Sequence, residues 1–170
     1  MNLVIDVSVL KCALFSSSQH GNDCRTGLES IKAHDAHCLV YTNQWYTDWW
    51  DVLTGNNVTD DLKQLKSYLA TLFSKICCNK NKMVFAGNST SLLDVTLREG
   101  YLSAIPNDFS VVQNTLYVIE MALSEHADKI IVFNENYGQS CDILYKHKSR
   151  VNHEKLPLIV WKKSFSDVIS

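Results

Sequence analysis

Leu3-Val4-Ile5-Asp6-Val7-Ser8-Val9-Leu10 is the stretch that decides how the rest of this chain is read. Leu3 to Ile5 form a short, unbroken apolar run, the pattern of a strand buried on both faces inside a parallel sheet. An acid follows at once, then a hydroxyl residue. Ser8 has the chemistry to cap a helix starting at Val9, because its hydroxyl oxygen can accept a hydrogen bond from a free N–H of the first turn. Asp6 then falls where a strand gives way to a helix, the edge at which α/β sheets hold their ligands. A carboxylate there is costly unless it is solvated, hydrogen-bonded or bound to a cation. It is either a functional acid or an acid that ties down the turn, and the stretch by itself leaves both open.

Outward from this stretch the same alternation continues. Short apolar runs at 38–41, 83–86, 129–133 and 158–161 read as four further strands. Between them lie helices expected at 9–15, 23–36, 43–53, 60–77, 92–98, about 107–126 and about 140–145, with a last turn capped by Ser164. Thr42 offers an N-cap for the third of these, where Trp45, Trp49 and Val52 share one face by helical spacing and read as core. Gly55 breaks that helix, and Pro106 fixes the loop before the longest one. His34 and His37, with Cys38 beside them, read as helix-end residues rather than metal ligands. No repeat or linker interrupts the order. The expected fold is a single three-layer α/β/α domain over residues 1–170, with a mostly parallel central sheet of four or five strands.

Composition narrows the class. Of 170 residues, 46% are hydrophobic and 20% charged, which is globular rather than disordered. No apolar run is long enough to span a bilayer, so no membrane is expected. Six cysteines without framework spacing, and no basic leader ahead of Asp6, lead to the expectation of a cytoplasmic protein with free thiols. The net charge of −2 hides a skew: residues 1–61 carry three basic and eight acidic side chains, while 141–170 carry six basic and three acidic. That skew reads as solvated surface, and the chain is not basic enough for charge alone to argue for nucleic acid.

Taken in order, these pieces resemble a PIN domain, the fold of many metal-dependent ribonucleases, including toxins of toxin–antitoxin pairs. The resemblance spans nearly the whole chain and rests on the opening stretch and three further places. These are Leu39-Val40-Tyr41-Thr42 with Asp48-Trp49-Trp50-Asp51-Val52-Leu53; residues 115–123 with Glu120-Met121-Ala122; and Asp128-Lys129-Ile130-Ile131-Val132 running to Tyr137. Leu158-Ile159-Val160 with Ser164-Phe165 is similar to the closing strand and helix of one PIN subgroup. The resemblance implies clustered acids holding Mg²⁺ or Mn²⁺, hard cations that prefer oxygen ligands and activate water for attack on phosphate.

Against that pattern Asp6 matches the first acid and Ser8 the small polar residue two positions on. Asp48 falls where the family usually has Glu. Thr115 falls where the long helix should present Asp, and Asn134 and Asn136 where the loop after the fourth strand should present Asp. Asn can offer a neutral oxygen to a metal but no charge, and cannot act as a base. The substitute acids on the same helix are Glu120, roughly a turn and a half further on, and Asp108, roughly two turns upstream and too far to serve without a backbone change. Three readings stay open. One is a catalytically impaired ribonuclease homologue. The second is a working Mg²⁺- or Mn²⁺-dependent endoribonuclease using Asp6 and Asp48 on RNA. The third is a non-catalytic module that binds RNA, an antitoxin-like protein or a second copy of itself.

Overall fold

The computed structural model describes residues 1–55, 59–86 and 127–133, the strand backbone at 158–160, and the single positions Ala122, Phe165 and Ile169. Strand β1 (Asn2–Ile5) leads into helices α1 (Val7–Phe15) and α2 (Gln19–Ala33), then β2 (Cys38–Tyr41), α3 (Asn43–Thr54) and α4 (Asp60–Cys77). A 3₁₀ turn at Lys80–Lys82 feeds β3 (Met83–Phe85), and β4 (Lys129–Ile131) and β5 (Leu158–Val160) complete the described strands. All pair in parallel, in the order β3-β2-β1-β4-β5. The α/β class and the parallel sheet are as the alternation of apolar runs predicts. Expected helices at 92–98 and 140–145 lie outside the described residues. So does the one at 107–126, except for Ala122, which is helical and fully buried.

β1 is the centre of the sheet, and Leu3, Val4 and Ile5 are all 0% exposed. Side chains on a strand alternate between faces, so both faces of β1 are covered. Its amino end is pinned to β4 by a reciprocal pair: the Asn2 N–H donates to Asp128 Oδ2 at 2.7 Å, and the Asp128 N–H donates to the Asn2 carbonyl at 2.7 Å. That exchange fixes the register in which Leu3, Val4 and Ile5 stand opposite Lys129, Ile130 and Ile131.

Both ends of α2 differ from expectation. Helix α2 begins a turn earlier, at Gln19, where Gly21 packs its backbone against the Ser16 carbonyl; a Cβ there would stand 2.0 Å from that oxygen. It also ends earlier, at Ala33, because the backbone turns extended at His34. The His34 carbonyl is captured instead by the ammonium of Lys82 at 2.5 Å. Lys82 is 2% exposed, and its second contact is the exposed side chain of Asp35 at 3.5 Å. This lysine ties the end of α2 to the entry of β3, an ordering that sequence spacing did not reveal.

Gly27, in the middle of α2, has a different reason. The ring of Phe165 lies directly on the helix backbone there, with Cδ1 1.7 Å from where a Cβ would stand. Phe165 and Ile169 are both helical and buried, so the chain's last described positions belong to the core.

Candidate functional site

Sheet order locates a crevice before any side chain is considered. From β1 the chain builds outward to β2 and β3 on one side, and β4 and β5 lie on the other. The direction reverses between β1 and β4, and the carboxyl ends of strands at such a switch point are where open α/β sheets bind ligands. Asp6 follows β1 at this position, and Val132 and Phe133 follow β4.

Asp6 is drawn into the local structure on every side. Its N–H donates to the Ile131 carbonyl at 2.9 Å and its carbonyl accepts from the Val9 N–H at 3.0 Å. Its backbone is extended (φ −69°, ψ 150°), and its Oδ2 accepts from the Ser8 N–H at 2.8 Å, which makes it the N-cap of α1. The expected cap was Ser8, for a helix starting at Val9. The helix instead starts at Val7, so the acid takes the capping place. The Ser8 hydroxyl is released to accept from the Phe133 N–H at 3.1 Å, bridging α1 to the end of β4. Asp6 is 7% exposed, and burial raises its carboxyl above the ordinary range. Hydrogen bonds from Ser8 and Val7 and the charge of Lys11 oppose that shift without overcoming it.

Helix α3 approaches the same edge. Thr42 caps it as expected, its hydroxyl accepting from the Trp45 N–H at 3.2 Å, and the Trp45 indole N–H donates to the Ile5 carbonyl at 2.7 Å. Trp45, Trp49 and Phe73 form a buried aromatic stack with ring centroids 4.7 Å and 5.0 Å apart along the chain of contacts. The core reading of these aromatics is what the structure has. Tyr46 and Phe85 are left exposed at the margin of this cluster. Asp48 is half-buried on α3, and its Oδ1 accepts from the Gln44 side-chain amide at 2.7 Å, one turn earlier.

Beside Ser8 and Phe133 opens a cavity of about 700 Å³ whose walls include Lys11, Cys12 and the serine run at 16–18. The His20 ring rests on Phe133 at 5.5 Å between centroids. Ser8, Lys11, Cys12 and Phe15 recur at i, i+3, i+4 and i+7, the spacing of one helix face. That face was the legible signal for the cavity wall; reading 16–22 as mere loop hid it.

As a place for Mg²⁺ or Mn²⁺, the described residues supply two carboxylates, each with one oxygen already engaged. A divalent cation of this kind takes six or more oxygen ligands and gains affinity from their charge. Among the described residues no three His, Cys, Asp or Glu side chains are grouped in a way that would hold a metal. Thr115, Asn134, Asn136, Asp108 and Glu120 lie outside the described residues. The described part therefore does not make up a cation site, and no catalytic step is built on one. Among the described residues, no helix is long and apolar enough to cross a membrane. Comparison with protein-family models, with curated proteins and with solved structures found no match.

Proposed function

We propose that this chain is a PIN-like protein whose acidic centre has lost its metal-binding chemistry, a catalytically impaired homologue of metal-dependent ribonucleases. The observation that carries the reading is the condition of Asp6. One oxygen of its carboxyl caps α1, the side chain is nearly buried, and that burial raises its pKa above the ordinary range. A carboxyl that is to hold a hard cation must be ionised and must turn an oxygen outward. The sequence adds Thr115, Asn134 and Asn136 at the places where the resemblance calls for acids.

One observation favours the working Mg²⁺- or Mn²⁺-dependent nuclease as a second reading. Asp6 stands at the switch point of the sheet, two residues before Ser8, which lines a cavity with a lysine in its wall. Calorimetric titration of chelator-stripped protein with Mn²⁺, paired with an RNA cleavage assay and repeated on Asp6→Asn, separates the two. The first reading expects no binding up to millimolar metal and no difference between the proteins. Micromolar binding and cleavage that both vanish in Asp6→Asn would overturn it in favour of the second.

A further inference from the structure

We propose that the cavity beside Ser8 binds a free nucleoside monophosphate, with the phosphate held by Lys11 and the serine hydroxyls and the base laid on Phe15 and Phe133. The opening measures about 700 Å³, within the roughly 300–1,000 Å³ of small-molecule sites. It lies where the chain leaves β4 through Phe133, at the carboxyl edge of the sheet. One part of its wall is made of donors. The Lys11 side chain makes no hydrogen bond or ion pair among the described residues. The Ser8 oxygen accepts from the Phe133 N–H at 3.1 Å, which leaves its own proton to donate. The Ser16 and Ser18 hydroxyls stand 2.6 Å apart, so one donates to the other and the accepting one keeps its proton. No carboxylate stands among the described lining residues. A cation with several hydroxyl donors and no acid is the complement of an oxyanion.

The other part of the wall is aromatic. Phe15 is 53% exposed, the most exposed large hydrophobic side chain among the described residues, so core packing does not account for it. Phe133 is half-buried, with the His20 ring against it at 5.5 Å between centroids. Aromatic faces of this kind stack on any nucleobase. With both parts in one cavity, the ligand that uses the whole wall carries a charge and a planar ring in the same molecule. Inorganic phosphate leaves the rings uncovered, and a neutral nucleoside leaves Lys11 unpaired.

Charge decides between a free nucleotide and a strand. A groove that binds a strand follows its phosphates with a row of cations. The described wall holds a single lysine, and the whole chain has a net charge of −2. That provides for one phosphate group rather than several. The inference stands on the cavity alone and holds whether Asp6 is a cap or a metal ligand.

The test is calorimetric titration of the full chain, in EDTA, with AMP, adenosine and inorganic phosphate. The expected result is saturable binding of AMP, with adenosine and phosphate each about tenfold weaker or more. Lys11 and Phe15 are both exposed on α1, so replacing either leaves the core untouched, and thermal melts check that the variants fold. Lys11→Met should bring AMP down to the level of adenosine, and Phe15→Ser should weaken AMP about fivefold. No saturation at millimolar AMP, equal affinity in Lys11→Met, or binding that appears only when Mn²⁺ replaces EDTA would overturn the proposal. So would a short oligoribonucleotide that binds far more tightly than AMP, because the site would then read a strand.

Discussion

Gly27→Ala sets two effects of known size against each other. In an ordinary helix interior, alanine is favoured over glycine by about 1 kcal/mol. Helix α2 should then gain stability. The Phe165 ring forbids this, because Cδ1, Cγ and Cε1 would stand 1.7, 2.1 and 2.3 Å from the new methyl. All three atoms belong to one rigid ring that is 3% exposed, so the ring must leave its place as a unit. Removing a buried phenylalanine side chain costs about 3–5 kcal/mol. Packing wins by the difference, and Gly27→Ala should destabilise by about 2–4 kcal/mol. Urea unfolding followed by circular dichroism reads this as a lower midpoint with the same slope. The decisive arm is the Phe165→Ala background, where the ring is gone. There Gly27→Ala should reverse sign and stabilise by up to about 1 kcal/mol. A stabilising Gly27→Ala in the unmutated chain, or additive effects of the two changes, would refute the packing argument.

Three further outcomes follow from the same geometry. Asp6→Asn keeps an oxygen for the Ser8 N–H and removes the buried charge, so it should be at least as stable as the parent at pH 7. Asp6→Ala loses the cap and about 1 kcal/mol, so thermal melts of the two variants should separate. His37 is nearly buried, its Nδ1 without a partner among the described residues. Burial lowers its pKa below the ordinary 6.5, helped by the Met1 ammonium, His34 and Lys82, while a bond to the Ile169 carbonyl opposes the shift. The native state therefore binds fewer protons than the unfolded one, so stability is whole above 6.5 and falls below it; His37→Gln should flatten that limb of a pH–stability curve. Trp45→Phe removes the donor to the Ile5 carbonyl and should cost about 1–3 kcal/mol. Trp49→Phe deletes a buried N–H that has no partner among the described residues, so chemical denaturation should show a smaller loss there.

The sheet was legible because a strand buried on both faces leaves an unbroken apolar run. Leu3 to Ile5, Cys38 to Tyr41 and Ile130 to Val132 could hardly be read otherwise. The cap was not, because Asp and Ser are near-equal N-caps. Choosing between Asp6 and Ser8 needs the position of Phe133, whose N–H claims the serine hydroxyl from 125 residues away. The end of α2 was missed for the same kind of reason: the cation that captures the His34 carbonyl arrives 48 residues later. Gly27 reads locally as a helix defect, and only Phe165 shows it to be a seat for a ring. Local propensity sees what lies within a turn or two, while caps, buried lysines and glycine seats are chosen by distant partners.

The two readings of Asp6 meet in one measurable quantity, the proton it carries in the folded state. Burial raises its carboxyl above the ordinary 3.8, and Lys11 is the cation that acts against that shift. An acid whose folded pKa is raised gives stability that is full below its unfolded pKa and is lost as pH rises through the folded pKa. The parent chain should therefore lose stability across the window above 3.8 relative to Asp6→Asn. A divalent cation bound at Asp6 would reverse this, because an adjacent double charge favours the ionised form and would pull the pKa down. Millimolar Mn²⁺ should then erase the difference in slope between the parent and Asp6→Asn if Asp6 is a ligand, and leave it untouched if Asp6 is a cap. Thermal melts from pH 4 to 7 with and without Mn²⁺ read that contrast without any assumption about an RNA substrate. A slope that disappears with metal would sink the capping account, whatever the cleavage assay showed.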